Sequence, residues 1–209
     1  SWSKKAYADA LKLGKVNVLF DGKDDNYSSL PDPSTIKVSK DASYLHITSN
    51  ETIGGIQWKD WPDTGDTPII CDMSSDIMSR EVDVSKFGMI YGGVQKNLGP
   101  AGAAFMMIRN DLLERSPDSL TAYLNYRIHA EKDAMYNTPP VFAVYTSMLT
   151  LEWLSKNGGI KAIEDKNIEK ANLLYNAIDS NDLFNGFAKK EDRSLMNVTF
   201  NLNDQNHKE

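Results

Sequence analysis

The sequence predicts an α/β fold, a mixed, mostly parallel sheet flanked by helices, and three observations carry that prediction. Short apolar runs of strand length alternate with helical segments. One of these runs, "PIIC", ends in an acid, the pattern of a buried strand with a polar carboxyl end. Two further runs, "KFGMIYGG" and "AGAAFMMIR", bracket a glycine-rich turn that holds a single lysine, Lys96.

The elements follow in order. "SWSKKAYADALKLG", residues 1–14, fits a short helix that Ser1 or Ser3 can cap and Gly14 can stop. "VNVLF" is a strand candidate. Residues 21–35 combine Asp, Asn, Ser, Gly and Pro, the chemistry of turns. "SYLHITS" and "GIQW" read as short strands on either side of "NETIGG", and "DTPIICDMSS" as a buried strand. The chain turns helical at "NDLLERS". Residues 138–157 carry the clearest helix, with Val141, Val144, Tyr145, Met148, Leu151 and Leu154 at three- and four-residue steps. Thr138 fits its N-cap, Pro139 its first position, and Gly158–Gly159 its end. A second helix follows over about 160–179, and "SLMNVTFNL" alternates as a final strand. Usage shifts toward Asn, Asp and Lys after about Gly158, which marks a second unit there.

Composition narrows the function classes. The chain of 209 residues is 41% apolar and 25% charged, enough for a sizeable core. A formal net charge of −6 with no long basic run argues against nucleic acid and against an anionic membrane surface. One cysteine, Cys71, and three scattered histidines, His46, His129 and His207, leave no disulfide framework and no material for a metal site. No apolar run approaches the ~20 residues of a membrane span, and no signal peptide is visible. The sequons at Asn26, Asn50 and Asn197 read as chance matches. The expectation is a soluble protein of a reducing, cytoplasmic compartment. The opening without Met and the close on "NDQNHKE" suggest part of a longer polypeptide.

Asp72 and Lys96 are the candidate chemistry. Alone, Asp72 reads first as a cap of the turn it opens, and Lys96 as a hairpin lysine facing water. The P-loop spacing is not met around Lys96. Together they suit a pyridoxal phosphate site. The lysine is an amine nucleophile, and the acid keeps the pyridine nitrogen protonated so that the ring accepts electrons. Such a site also needs an anion cradle, and Asn137 and Thr138 stand at a helix start, where free N–H groups and the dipole favour phosphate.

At these residues the sequence resembles the phosphoserine aminotransferase family, fold-type-I pyridoxal phosphate enzymes of aminotransferase class V. The resemblance rests on "SWSKKA", "NETIGGI", "CDMSSDIMSR", "DVSKFGMIYGGVQKNLGPAG", "MYNTPP", "LEWLSKNGG" and "RSLMNVTF", in the family's order across essentially the whole chain. It implies that Lys96 is the Schiff-base lysine and Asp72 the partner of the pyridinium nitrogen. By the same resemblance, Trp2 stacks on the cofactor ring, Thr52 contacts the cofactor near its ring oxygen, and Gln95 binds its phosphate. Asn137 and Thr138 match a pair that reaches the neighbouring subunit's phosphate, which implies a homodimer with shared sites.

The implied reaction is transamination between L-glutamate and 3-phosphohydroxypyruvate, giving O-phospho-L-serine and 2-oxoglutarate in serine biosynthesis. The implied architecture is part of the large cofactor-binding domain over 1–158, with a linking helix and the start of a small C-terminal α+β domain over 159–209. The family's upstream "GR"-type segment, its early arginine, and its later "GHR…GG(I/M)RASIYNA" region have no counterpart here, so the activity of this chain by itself is left open. The rival readings are another fold-type-I enzyme, of cysteine desulfurase or alanine–glyoxylate aminotransferase type, and a non-catalytic cofactor-binding fragment.

Overall fold

A computed structural model describes residues 2–203. The chain opens with α1 (Trp2–Ala10), then runs through turns to β1 (Leu45–Thr48), β2 (Asn50–Glu51), β3 (Ile56–Gln57) and β4 (Ile69–Asp72). Next come β5 (Met89–Gly93), β6 (Ala104–Ile108), α2 (Asn110–Leu113) and α3 (Tyr126–Glu131). The helices α4 (Val141–Lys156) and α5 (Gly159–Asp179) follow, and β7 (Phe184–Gly186) and β8 (Phe200–Leu202) close the described chain.

The main sheet has the order β1-β4-β5-β6. The β1–β4 and β4–β5 pairs are parallel and β5–β6 is antiparallel, the mixed sheet expected from the sequence. Alternation along the strands divides its two faces. Ile47, Cys71 and Ile90 share a register row and point into a core that also holds Ile69, Met73, Phe87, Val94 and Leu98. Burying each such large side chain stabilises the fold by about 1.5–3 kcal/mol. The next row, Thr48, Asp72 and Tyr91, faces the other way at the carboxyl ends of the three parallel strands. In open α/β sheets that edge is where ligands sit.

Several sequence expectations are corrected. "VNVLF" forms no strand. Val18 and Phe20 are exposed and no neighbouring strand offers a ladder among the described residues. Of "SLMNVTFNL" only Phe200–Leu202 is strand. Its front half is turned instead by Ser194, whose hydroxyl accepts from the N–H groups of Met196 and Asn197. Thr138 is not the N-cap of α4; Pro140 holds that place and offers no side-chain bond. The residue before a proline is pushed out of the helical region, so the tandem Pro139–Pro140 delays the helix to Val141. The first helix ends at Ala10, before Gly14. Ser1 lies outside the described residues. The N–H of Trp2 donates to the Glu51 carboxylate at 3.1 Å, so an acid from β2 caps that helix.

The apolar stripe of α4 is also less buried than its spacing implies. Val141, Val144, Tyr145, Met148 and Leu151 are exposed, and only Ala143 is buried. The helix is apolar nearly all round, which suits packing on more than one side, whereas α5 covers one.

One ion pair organises the loop after β4. Asp76 is fully buried and accepts from Arg80 through Nε (3.1 Å) and a terminal nitrogen (2.8 Å), from Gln57 Nε2 (2.8 Å) and from the Ser79 hydroxyl (3.0 Å). Burial pushes the Asp76 carboxyl up, but the guanidinium and the hydrogen bonds outweigh it and hold it below the ordinary carboxylate value. Arg80→Ala is therefore expected to destabilise the fold by about 3 kcal/mol, since a lone buried charge remains. The lowered carboxyl also fixes the sign with pH. This stabilisation is complete above the unfolded value of about 4 and is lost as pH falls through the folded one. Urea denaturation of wild type and variant across acid pH measures both, and equal midpoints at neutral pH would refute the role.

Candidate active site

The carboxyl end of the sheet carries a cavity of about 180 Å³, walled by Trp2, Thr48, Asp72, Ser74, Gln95 and Lys96. Each wall has a local cause. Asp72 is the last residue of β4, and its Oδ1 accepts from the Ser74 N–H (2.9 Å) and hydroxyl (2.6 Å). Among the described residues its Oδ2 accepts no hydrogen bond, so one oxygen is fixed and the other is available. Ser74 in turn accepts from Gly93 N–H at 3.2 Å. The loop can cross β5 this closely because Gly92 lacks a Cβ, which would stand 2.8 Å from Ser74 backbone atoms.

Lys96 sits in the loop between β5 and β6. The Val94 carbonyl accepts from Leu98 and Gly99 N–H groups, and Val94 N–H donates to Ala103 across the loop. Val94 and Leu98 plug the core, while Gln95 and Lys96 between them face outward to the cavity. Asn97 donates to the Ile77 carbonyl and pins the loop to the Asp72 turn. The glycine-rich turn thus holds the lysine from both sides, with its Nζ 2.8 Å from Thr52 Oγ1 and 5.8 Å from the centre of the Trp2 ring. Trp2 is 44% exposed, so it lines the site and is no core staple.

The structure therefore brings Trp2, Thr52, Asp72, Gln95 and Lys96 together. Asn137 and Thr138 are exposed and line no wall of this cavity. Their one mutual contact is Asn137 Nδ2 donating to Thr138 O at 3.2 Å. Sequence reasoning missed the supporting groups. His46 Nε2 and the Tyr91 hydroxyl lie 2.9 Å apart beside Asp72. Burial pushes His46 down against the opposing pull of Asp72, and burial and Asp72 together push Tyr91 up to about 12. Period-two alternation from Thr48 and Asp72 was the signal that could have found them.

Two rival places carry less. A larger cavity of about 770 Å³ lies between α4 and α5, but its wall is chiefly leucine, methionine and amide side chains with Lys166, Glu169 and Lys170, and it includes neither Asp72 nor Lys96. Lys59, pushed down to about 8 by burial and by Arg80, donates to Gln57 and to the Arg193 carbonyl and does not reach the cavity. Among the described residues no cluster of His, Cys, Asp and Glu could hold a metal ion, and no helix is long and apolar enough to cross a membrane.

A pyridine-type cofactor fits this donor set: a carboxylate oxygen without a partner among the described residues, an amine and an aromatic ring lining one cavity. The sequence comparisons agree. The chain belongs to the family described as Aminotransferase class-V, whose pattern matches residues 1–208. Within it the similarity is to phosphoserine aminotransferases. That of Lysinibacillus sphaericus is 47% identical over 206 residues, covering 98% of this chain and 57% of the relative. A solved phosphoserine aminotransferase from Bacillus circulans superposes with a TM-score of 0.96 at 42% identity, over 99% of this chain and 57% of that one. A pyridoxal phosphate-bound phosphoserine aminotransferase from Trichomonas vaginalis gives 0.85 at 37%, over 98% and 58%. The chain thus spans a little over half the length of the relatives it matches.

Cys71 neighbours Asp72 yet takes no part. It is fully buried, and burial pushes its thiol well above the usual range, with Asp76 and Asp72 adding to it. Alkylation by iodoacetamide is expected to be negligible in the folded protein and complete in denaturant. Stoichiometric labelling of the native state would contradict this packing.

Proposed function

We propose that this protein works as a phosphoserine aminotransferase, exchanging the amino group between L-glutamate and 3-phosphohydroxypyruvate with pyridoxal phosphate as cofactor. The observation that carries the reading is the pairing of a half-free Asp72 carboxylate with the Lys96 amine across one cavity under Trp2. The family resemblance of the surrounding segments supports it.

When bound, the cofactor supplies a protonated ring that accepts an electron pair from the substrate carbon. Asp72 Oδ2 holds the proton on the ring nitrogen, while Ser74 keeps that carboxylate from turning away. Trp2, in the cavity wall, would lie against the ring and limit water there. Gln95 and its loop offer donors to the phosphate. Thr52 accepts from Lys96 and keeps its amine over the reacting position. Lys96 Nζ is the amine that would take up and hold the proton of the substrate α-carbon.

We infer a homodimer as well. Asn137 and Thr138 lie outside this chain's own cavity, so a phosphate they serve belongs to a neighbouring subunit's site. The division into a large domain over 1–158 and the start of a small one at 159 is supported by the left-handed pair Gly158 (φ 93°) and Gly159 (φ 71°) between α4 and α5. A reducing, cytoplasmic setting accords with the single buried thiol.

Borohydride reduction of the cofactor-loaded full-length protein, followed by peptide mapping, tests the lysine. The cofactor is expected on Lys96, and finding it on Lys86 or Lys132 would overturn the assignment. Lys96→Ala should abolish phosphoserine turnover.

The Asp72→Asn variant tests the acid. It should keep the cofactor but lose about a thousandfold in kcat, since several kcal/mol of ring stabilisation is removed at about 1.4 kcal/mol per decade. A variant turning over like wild type would leave Asp72 as a turn cap.

A further inference from the structure

The segment Ser194–Asn197 has no part in the reaction as described, yet it is fastened to the site by an unbroken set of hydrogen bonds. Ser194 is fully buried, and its hydroxyl donates to Asn50 Oδ1 at 2.5 Å. Asn50, 2% exposed, uses both protons of its amide: one to Asn197 Oδ1 (2.7 Å) and one to Ser75 Oγ (2.8 Å). Ser75 Oγ also meets the Asn50 carbonyl (3.0 Å) and Thr52 Oγ1 (3.1 Å), and Thr52 Oγ1 meets Lys96 Nζ (2.8 Å).

The directions in this chain are determined. A carbonyl only accepts, so the single Ser75 proton goes to Asn50 O. Ser75 therefore accepts from Thr52, and the single Thr52 proton is committed to Ser75. What Thr52 turns toward Lys96 is a lone pair. The far end is equally fixed. Ser194 N–H donates to Gly55 O (2.8 Å), Ser194 O accepts from the Tyr175 hydroxyl of α5 (2.9 Å), and Ser194 Oγ accepts from two N–H groups of its own turn.

We propose that Asn50, clamped by Ser194 and Asn197, is a positioning residue: its amide holds Ser75 Oγ, and through it the Thr52 hydroxyl, at hydrogen-bond distance from the Lys96 amine. Resting on the Lys96 assignment above, this gives the segment after α5 a role in the site: it holds the lysine's hydrogen-bond partner in place.

The test needs no cofactor. In the cofactor-free full-length protein, competitive acetylation read by mass spectrometry gives the reactivity of Lys96 relative to the exposed Lys40. Asn50→Ala and Ser194→Ala are each expected to raise that ratio by about fivefold, the effect of loosening one hydrogen bond on the amine. Thr52→Val should match them, and Thr52→Ser, which keeps the hydroxyl, should restore the wild-type ratio.

If Thr52→Val raises the ratio but the folded Asn50 and Ser194 variants do not, the contact is local and the relay is overturned. If Asn50→Ala fails to fold, Ser194→Ala and Asn197→Ala decide by the same criterion. A fall in melting temperature with an unchanged ratio would mark these residues as structural only. The result stands apart from the cofactor assignment, because borohydride mapping can fail on Lys96 while the acetylation ratio still responds.

Discussion

A carboxylate with no access to water sits under the carboxyl edge of the sheet, and the geometry above it follows from how that charge is satisfied. Asp76 cannot remain ionised in a core unless donors surround it, since the cost of stripping an isolated carboxylate of water far exceeds what the fold could absorb. Arg80, Gln57 and Ser79 supply those donors. Each comes from a fixed place, so the loop from Met73 to Arg80 has one conformation in which all are met. Gln57 extends the constraint, because its own oxygen accepts from Lys59 and from Leu195 N–H. The hairpin of β2 and β3, the loop after β4 and the segment after α5 are thereby locked to one another.

That lock places the chemistry. Asp72 is a strand end, and strand ends alone leave a carboxylate free to rotate. The loop closed by Asp76 puts Ser74 where it takes one oxygen, and Ser75 where it takes the Thr52 proton. The same loop offers the Ile77 carbonyl to Asn97, which fixes the lysine turn from below. Lys96 and Asp72 belong to different loops, yet both are referred to the same buried ion pair. A site held within tenths of an ångström needs such a shared support, because each exposed side chain by itself has many rotamers.

The sheet was legible because its signals were local: "PIIC" before an acid and "GMIYGG" before a turn. The long motifs around the lysine and the acid made the family recognisable. What stayed hidden depended on contacts distant in sequence. "VNVLF" has strand propensity but, among the described residues, no neighbour to pair with. "SLMN" has the alternation of a strand, but a buried serine hydroxyl captured the backbone for a turn and sent its own proton to a residue 144 positions earlier. The Asn50 amide could not be distinguished from a sequon by its sequence alone. Asn137 and Thr138 were legible as a motif, and in this chain they stand exposed, away from the cavity.

The arrangement separates two kinds of residue by depth. Trp2, Gln95 and Lys96 are exposed and contribute little to packing. Asn50, Gln57, Asp76 and Ser194 are buried, and each satisfies a partner that would otherwise be an unpaired polar group costing about 1–3 kcal/mol. The chemistry can therefore change identity at the surface without unfolding the chain, whereas the layer beneath is constrained twice, by stability and by the direction of its protons. Replacing a support residue with an isosteric apolar one would fill its space but break the sequence of donors and acceptors. The lysine would keep its place in the chain while the hydroxyl it is held against lost its support.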